Sequence, residues 1–226
     1  MNMNKCIVSV GVGGGYPRLE SLMVASVKRT NPGLKVFSWN STYPPNAPPH
    51  AALPYTFKAY AIAEAKAQGY DQVIWLDSAI ICHHALDPFF RVMETDGYLF
   101  IENTDCRFHT YASEGILNLF GRTMNWAKTD APYKDLTVGW MFGFNFTHPQ
   151  GKLAWEDYWN ALTVKKSAAY GTKDQTRRND EVLLALVVNK HNLRTYSHRG
   201  LLEGRCVASM HSTPKTSMAY IENRPV

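Results

Sequence analysis

The stretch that decides the fold is Tyr70-Asp71-Gln72-Val73-Ile74-Trp75-Leu76-Asp77-Ser78-Ala79. Residues 73–76 are apolar at every position, which predicts a central strand covered on both faces, as in a parallel sheet. The strand stops at Asp77. Ligands of open α/β sheets bind outside the carboxyl ends of the strands, so a carboxylate there is well placed to hold a metal or a sugar hydroxyl. The alternative is that Asp77 only caps the turn that follows.

The segments before this strand predict an α/β domain. Residues 6–10 form a β-branched apolar run that ends in glycines, and residues 17–30 carry apolar side chains at helical spacing. Residues 35–39 predict a second strand, and the alanine-rich residues 55–68 predict a helix that Gly69 ends. Strand, loop and helix in alternation are typical of α/β folds.

The later segments predict further elements. Strands are expected at residues 98–101 and 138–146, and helices at 114–120, 152–162 and 180–189. Residues 163–178 are polar and basic without apolar periodicity, which indicates a mobile loop.

Composition limits the function classes. A chain of 226 residues, 45% of them hydrophobic, predicts one domain spanning residues 1–226 that needs no disulfide to fold. The four cysteines form no CxxC pair, so a reducing cytoplasm is the expected compartment. A formal net charge of +5 favours an anionic partner. The longest apolar run is far shorter than a membrane span, so no transmembrane segment is expected.

The glycine loop Gly11-Val12-Gly13-Gly14-Gly15 lies between the first predicted strand and helix. Such loops let backbone N–H groups approach a phosphate at a helix N-terminus. The loop is not a dinucleotide fingerprint, because Tyr16 stands at the third glycine position and the second strand ends in Trp39-Asn40 without an acidic residue. The alternative is that the glycines only permit a tight turn.

The segment from Tyr70 to Ala79 resembles the "gyd-vlwlDaD" strand of GT-A glycosyltransferases, which use nucleotide-diphosphate sugars. Shorter similarities extend the resemblance over most of the chain. They are Lys58 in the preceding helix, Leu86-Asp87-Pro88-Phe89, the stretch from Gly139 to Asn145, Asn179-Asp180-Glu181 and Met210-His211-Ser212-Thr213-Pro214-Lys215. The resemblance implies a GT-A-like three-layer α/β/α sandwich around a mostly parallel central sheet.

The resemblance also implies roles for individual residues. Asp180, Glu181 and Asp77 would be catalytic, and Gly139 and Trp140 would bind the acceptor. The donor would contact Lys58, Asp77, Ser78, His211 and Lys215, and the glycine loop described above would add Gly11, Val12 and Gly13 to the donor site.

One position departs from the family pattern. The second aspartate of its DxD motif, usually the stronger metal ligand, is Ala79 here. Mn²⁺ or Mg²⁺ would then be held by Asp77, His211 and phosphate oxygens in a weak site. Alternatively, basic side chains stabilise the diphosphate without a metal. Lys58, Lys173, Arg177, Arg178, His211 and Lys215 are the candidates.

Three functions stay open from the sequence. The first is transfer of a sugar from a nucleotide-diphosphate sugar to a hydroxyl acceptor such as a glycan. The second is a noncatalytic nucleotide-sugar or glycan-binding relative that lost the second aspartate. The third is a nucleotidyltransferase, for which Arg18 is the basic residue nearest the glycine loop. No nucleic-acid partner is expected.

Overall fold

The structure is a computed structural model that describes residues 3–166 and 178–197, together with the backbone of residues 207–209. The strands are β1 (Lys5–Gly11), β2 (Lys35–Asn40), β3 (Gln72–Leu76), β4 (Ile80–Cys82), β5 (Tyr98–Leu99), β6 (Ile101–Arg107), β7 (Asp135–Thr137), β8 (Met141–Asn145), β9 (Tyr196–Ser197) and β10 (Val207–Ser209). The helices are α1 (Tyr16–Thr30), α2 (Thr56–Ala67), α3 (Asp87–Asp96), α4 (Phe108–Tyr111), α5 (Glu114–Leu119), α6 (Met124–Thr129), α7 (Pro149–Trp159) and α8 (Asn179–His191). A wider helical turn, Asn160–Val164, continues α7.

The central sheet has the strand order β2-β1-β3-β8-β5. Strand β1 pairs in parallel with β2 and β3, whereas β8 runs antiparallel to both β3 and β5. The predicted α/β class is confirmed, but the prediction of a mostly parallel sheet holds only for the half that contains β1. The reason is that an apolar run indicates a strand buried on both faces but does not indicate whether that strand is parallel or antiparallel to its neighbours. Strand β8 is buried at every position, just as β3 is.

Helices cover both faces of this sheet and complete the three layers. In one hydrophobic cluster, Val8 and Trp75 pack with Ile62 of α2, and side chains of α7 and α8 belong to the same cluster. In the second cluster, Ile7 packs with Met23 of α1, and side chains of α3 join them. Consecutive residues of β1 thus enter opposite layers, as the alternation of side chains along a strand requires.

Several predicted elements have different bounds in the structure. The strand predicted at residues 98–101 is divided, because Tyr98–Leu99 joins the central sheet while Ile101–Arg107 pairs with β7 and β9 in a separate sheet. The strand predicted at residues 138–146 is β8, which begins at Met141, since the N–H of Val138 donates instead to the carbonyl of Ile101. Residues 167–177 of the predicted loop lie outside the described residues. Within the described part of the chain, no helix combines the length and apolarity needed to cross a membrane.

Candidate functional site

The ends of three strands meet at one edge of the central sheet. Strands β1 and β3 are parallel, so the glycine loop after β1 and Asp77 after β3 lie at their common carboxyl edge. Strand β8 is antiparallel to β3, which brings Gly139 and Trp140, just before β8, to the same edge. The N–H of Asp77 donates to the carbonyl of Trp140 over 2.9 Å. Predicted donor-side and acceptor-side residues are therefore neighbours.

The ammonium group of Lys58 is the centre of this edge. Its Nζ lies 2.7 Å from Oδ2 of Asp180, 3.1 Å from Oδ1 of Asp77 and 2.8 Å from the carbonyl oxygen of Gly139. Three acceptors match the three N–H donors of an ammonium group. Lys58 is 3% exposed, so burial alone would lower its pKa. The carboxylates of Asp180 and Asp77 outweigh that effect and raise the pKa of Lys58 above its ordinary value.

The two carboxylates around Lys58 have different environments. The side chain of Asp77 is 37% exposed, whereas that of Asp180 is 3% exposed. The indole Nε1 of Trp75 donates to Oδ1 of Asp77 over 2.7 Å, which fixes one carboxylate oxygen and leaves the other side of the group toward solvent. Asp180 is in the first turn of α8, where a negative charge is favoured by the helix dipole. Lys58 thus connects an accessible carboxylate to a buried one.

Gly139 permits the close approach of α8 to this edge. A Cβ at this position would lie 2.5 Å from Oδ2 of Asp180 and 3.0 Å from Cγ of Glu181. The first distance is shorter than van der Waals contact allows, so only glycine fits here without a shift of Asp180. The residue that was predicted to bind acceptor is also one that the ion pair between Lys58 and Asp180 requires sterically.

Glu181 and Arg178 form a second ion pair beside the first. Nη1 of Arg178 lies 2.8 Å from Oε2 of Glu181, and the guanidinium lies over the ring of Tyr111 at 5.0 Å. The N–H of Gly139 donates to Oε1 of Glu181 over 3.4 Å. Burial and, after it, the charge of Asp180 raise the pKa of Glu181, and Arg178 offsets only part of this effect. Glu181 is therefore more basic than an ordinary glutamate.

A pocket of about 420 Å³ opens beside Asp77. Its walls are mainly aromatic, and they come from the end of β1, the loop before α2 and the end of β3. The lining residues are Val10, Val12, Tyr16, Tyr43, His50, Tyr55, Phe57, Lys58, Trp75, Asp77, Ser78 and Ala79. The ammonium of Lys58 lies 5.2 Å from the ring centre of Tyr55 and 5.1 Å from that of Trp75. Aromatic walls next to a carboxylate suit a ligand with flat rings and hydroxyl groups.

The aromatic residues of the loop before α2 were not found by sequence reasoning. The prolines at positions 44, 45, 48 and 49 predicted a stiff loop, and that loop brings Tyr43 and His50 to the pocket. His50 packs edge-on against Tyr55 at 4.9 Å, and burial lowers its pKa. The sequence signal that could have predicted these lining residues is the group of aromatic side chains among the prolines, just before a helix that begins at the carboxyl edge of the sheet.

The predicted site residues divide into three groups. Lys58, Asp77, Gly139, Asp180 and Glu181 are brought together, and Val12 and Ser78 line the adjoining pocket. In the same loop as Val12, Gly11 is buried against Glu20 and Gly13 is exposed. Trp140 is half-buried and packs against the cluster that contains Ile7. His211 and Lys215 lie outside the described residues, as do Lys173 and Arg177.

The described residues do not fit a divalent cation. Over residues 3–166 and 178–197, no group of three or more histidine, cysteine, aspartate or glutamate side chains is arranged to hold a metal ion. Asp77 offers one carboxylate beside the positive charge of Lys58, and Ala79 offers no ligand. Divalent cations require several oxygen ligands, and a neighbouring ammonium repels them.

Comparison with solved structures identifies the fold. The chain superposes on a glycosyltransferase described as involved in the glycosylation of the major capsid of PBCV-1, with a TM-score of 0.52 and 11% sequence identity over 97% of this chain and 99% of that one. A second similar structure is the WbbM bifunctional glycosyltransferase, with a TM-score of 0.47 and 9% identity over 84% of this chain and 37% of that one. No family model matches the sequence, and no curated protein matches it significantly. The superposition on the first of these structures shows a GT-A-like fold, as the resemblance of the strand around Asp77 implied.

Proposed function

We propose that this chain is a glycosyltransferase that moves a sugar from a nucleotide-diphosphate sugar to a hydroxyl acceptor. The observation that carries the proposal is the accessible carboxylate of Asp77, which lines an aromatic pocket at the carboxyl edge of a GT-A-like sheet. Ligands of α/β sheets bind at this edge. The fold alone does not determine an activity, so the proposal depends on this site.

The donor is proposed to lie across the pocket from the glycine loop to Asp77. Its base stacks on the aromatic side chains of the loop before α2, because such rings offer a large flat contact area. Its diphosphate lies near the glycine loop at the start of α1, where backbone N–H groups and the helix dipole favour negative charge. Asp77 accepts hydrogen bonds from hydroxyl groups of the ribose or the donor sugar.

The acceptor is proposed to lie near Gly139 and Trp140, on the side where α8 begins. In the transfer, the bond between the anomeric carbon and the diphosphate oxygen breaks, and its electron pair leaves with the diphosphate. The acceptor oxygen forms the new bond to the anomeric carbon and loses its proton to a carboxylate. Glu181 is the proposed base, because burial raises its pKa and a more basic carboxylate takes a proton more readily. The negative charges of Asp180 and Asp77 stabilise the positive charge that develops on the sugar.

The test begins with ligand binding. A thermal-shift screen with UDP, GDP, CMP and dTDP sugars should raise the melting temperature for a preferred nucleotide, because a ligand that binds the native state stabilises it. The preferred donor is then incubated with hydroxyl acceptors, and the released nucleotide and new glycoside are measured. Binding of a nucleotide sugar without turnover, both with and without added Mn²⁺, would favour a noncatalytic nucleotide-sugar-binding protein instead.

A pair of variants localises the activity. Asp77→Ala should abolish transfer while leaving the circular dichroism spectrum unchanged. Asp130→Ala is the matched control, since it removes an exposed carboxylate at the end of α6. Transfer at the normal rate by Asp77→Ala would refute the assignment.

A further inference from the structure

We propose that Lys58 is a built-in cation that occupies the position between Asp77 and Asp180 in which a divalent metal ion would otherwise bind. In this interpretation the lysine holds the two carboxylates in place and makes a metal unnecessary for their arrangement. Its role in sugar transfer rests on the proposed function, whereas its role as a cation between oxygen ligands concerns the folded protein alone.

The groups around the ammonium are those that a hard cation selects. Oδ1 of Asp77, Oδ2 of Asp180 and the carbonyl oxygen of Gly139 all lie within 3.1 Å of Nζ. Carboxylate and carbonyl oxygens are the protein ligands that Mg²⁺, Ca²⁺ and Mn²⁺ prefer. Metal–oxygen distances of about 2.1 Å are shorter than these contacts, so the side chains would have to move inward by roughly 1 Å. Removing the lysine side chain would leave three oxygen ligands around one vacated volume.

The balance of charge at this edge of the sheet also depends on Lys58. Asp77, Asp180 and Glu181 carry three negative charges, and among residues 3–166 and 178–197 the positive partners that contact them are Lys58 and Arg178. Arg178 is paired with Glu181, so within this part of the chain Lys58 is the cation that contacts the other two carboxylates. Without Lys58, two carboxylates that now share one partner would repel each other across a largely buried site. A bound divalent cation would relieve this repulsion.

The surroundings of Lys58 differ from those of an ion pair that only stabilises a protein core. The carboxylate of Asp77 is partly exposed and lines the pocket, so one partner of the buried lysine is available to a ligand. The ring of Tyr55 lies over the same ammonium, and Tyr55 itself has a left-handed backbone with a φ of 63°. Left-handed backbone is unfavourable for a residue with a side chain, and its presence here indicates that the surroundings fix this ring in place. The lysine is thus enclosed by oxygen ligands and aromatic faces next to the proposed donor.

The deciding measurement is a manganese titration followed by electron paramagnetic resonance, in which the signal of free Mn²⁺ decreases on binding. The wild-type protein, Lys58→Ala and the double variant Lys58→Ala/Asp180→Asn are compared without any donor. We expect Lys58→Ala to gain one Mn²⁺ site at least about tenfold tighter than any site of the wild type at this edge. The double variant should lose that site, because it lacks one of the two carboxylates.

Two outcomes would overturn the inference. One is a folded Lys58→Ala that gains no Mn²⁺ site. The other is a wild-type protein that already binds Mn²⁺ as tightly as Lys58→Ala does, at a site that the substitution Asp180→Asn removes. If Lys58→Ala is unfolded without metal, circular dichroism supplies the readout: Mn²⁺ should restore the folded spectrum of Lys58→Ala and not that of the double variant. Failure of Mn²⁺ to restore it would equally contradict the inference.

Once a donor is known, the transfer activity provides a second test of the role of Lys58. Lys58→Ala should transfer sugar slowly without metal and regain activity with Mn²⁺, while the wild type should respond little. A wild-type protein that transfers no sugar would refute the proposed function, yet the manganese titration would still decide the role of Lys58.

Discussion

Nζ of Lys58 lies 2.7 Å from Oδ2 of Asp180, although 122 positions separate the two residues in the chain. The pair joins the first turn of α2 to the first turn of α8, and both side chains are almost completely buried. A buried charge is costly unless it is paired and hydrogen-bonded. The ion pair therefore connects the stability of the protein to the geometry of the candidate site.

The first prediction concerns the two carboxylates around Lys58. Asp180→Ala should reduce the free energy of unfolding by about 3–5 kcal/mol, because it removes the buried partner of a buried lysine. Asp77→Ala should cost only about 1–2 kcal/mol, because the Asp77 side chain is 37% exposed and Lys58 keeps its contact with Asp180. Urea unfolding of the two variants measures both losses. Equal losses would show that the exposure of Asp77 does not weaken its contribution.

Much of this arrangement could be predicted from local sequence. The apolar run at residues 73–76 predicted β3 and placed Asp77 at its end, and the alanine-rich helix around Lys58 was predicted within one residue at each end. Local patterns carry this information because burial and helix propensity are properties of consecutive residues. The antiparallel direction of β8 and the contact of Lys58 with Asp180 depend on residues far apart in the chain. No local pattern specifies either of them.

The lining of the aromatic pocket likewise could not be predicted from local sequence. His50 and Tyr55 were not predicted as lining residues, since His50 lies in a loop without periodicity and Tyr55 was predicted to begin the helix. The structure places the two rings against each other, and the Tyr55 ring lies beside the ammonium of Lys58. Positions in such a loop are set by packing against the sheet and α2, which becomes visible only in three dimensions.

The second prediction concerns the space at Gly139. Gly139→Ala should destabilise the protein by about 1–3 kcal/mol and reduce transfer, because the added Cβ would lie 2.5 Å from Oδ2 of Asp180 and displace it. Gly15→Ala is the control for stability only, since a Cβ there meets nothing within 4 Å but the residue belongs to the proposed diphosphate-binding loop. Thermal unfolding is measured for both variants, and product formation by Gly139→Ala is compared with that of the wild type. A Gly139→Ala protein as stable as Gly15→Ala and as active as the wild type would mean that Asp180 can move without loss.

The third prediction concerns Glu20, which lies under the glycine loop with its carboxyl group 0% exposed. Burial raises its pKa from the ordinary value of 4.5 to about 7, although the Ser38 hydroxyl and nearby backbone amides lower it in part. The folded protein thus keeps a proton that the unfolded chain releases above pH 4.5. The free energy of unfolding should therefore fall as the pH rises from 4.5 to about 7 and then stay level, with a total loss of about 3 kcal/mol.

Glu20→Gln should remove this pH dependence, because the amide stays neutral throughout. We expect the variant to match the wild type near pH 4.5 and to be the more stable protein at pH 8, as measured by urea unfolding across the pH range. Glu114→Gln is the control, since Glu114 is exposed at the start of α5. A wild-type protein whose stability rises between pH 5 and 7 relative to Glu20→Gln would show that Glu20 ionises readily in the folded state.

The last prediction concerns the metal requirement of the proposed transfer. Treatment with EDTA should leave much of the activity intact, because Ala79 supplies no ligand and Lys58 already neutralises the carboxylates of Asp77 and Asp180. The diphosphate leaving group then depends on backbone N–H groups and basic side chains, which stabilise its charge by hydrogen bonding. Such contacts are weakened by salt, so activity should fall as the ionic strength rises.

Product formation with and without EDTA, over a range of salt concentrations, measures both effects. The control is Lys58→Ala, which should behave in the opposite way and lose its manganese-dependent activity when EDTA is added. Complete loss of wild-type activity with EDTA, followed by recovery with Mn²⁺, would assign the diphosphate to a metal ion. Since the described residues offer such an ion one carboxylate beside an ammonium group, its remaining ligands would then have to come from the donor phosphates and from residues such as His211.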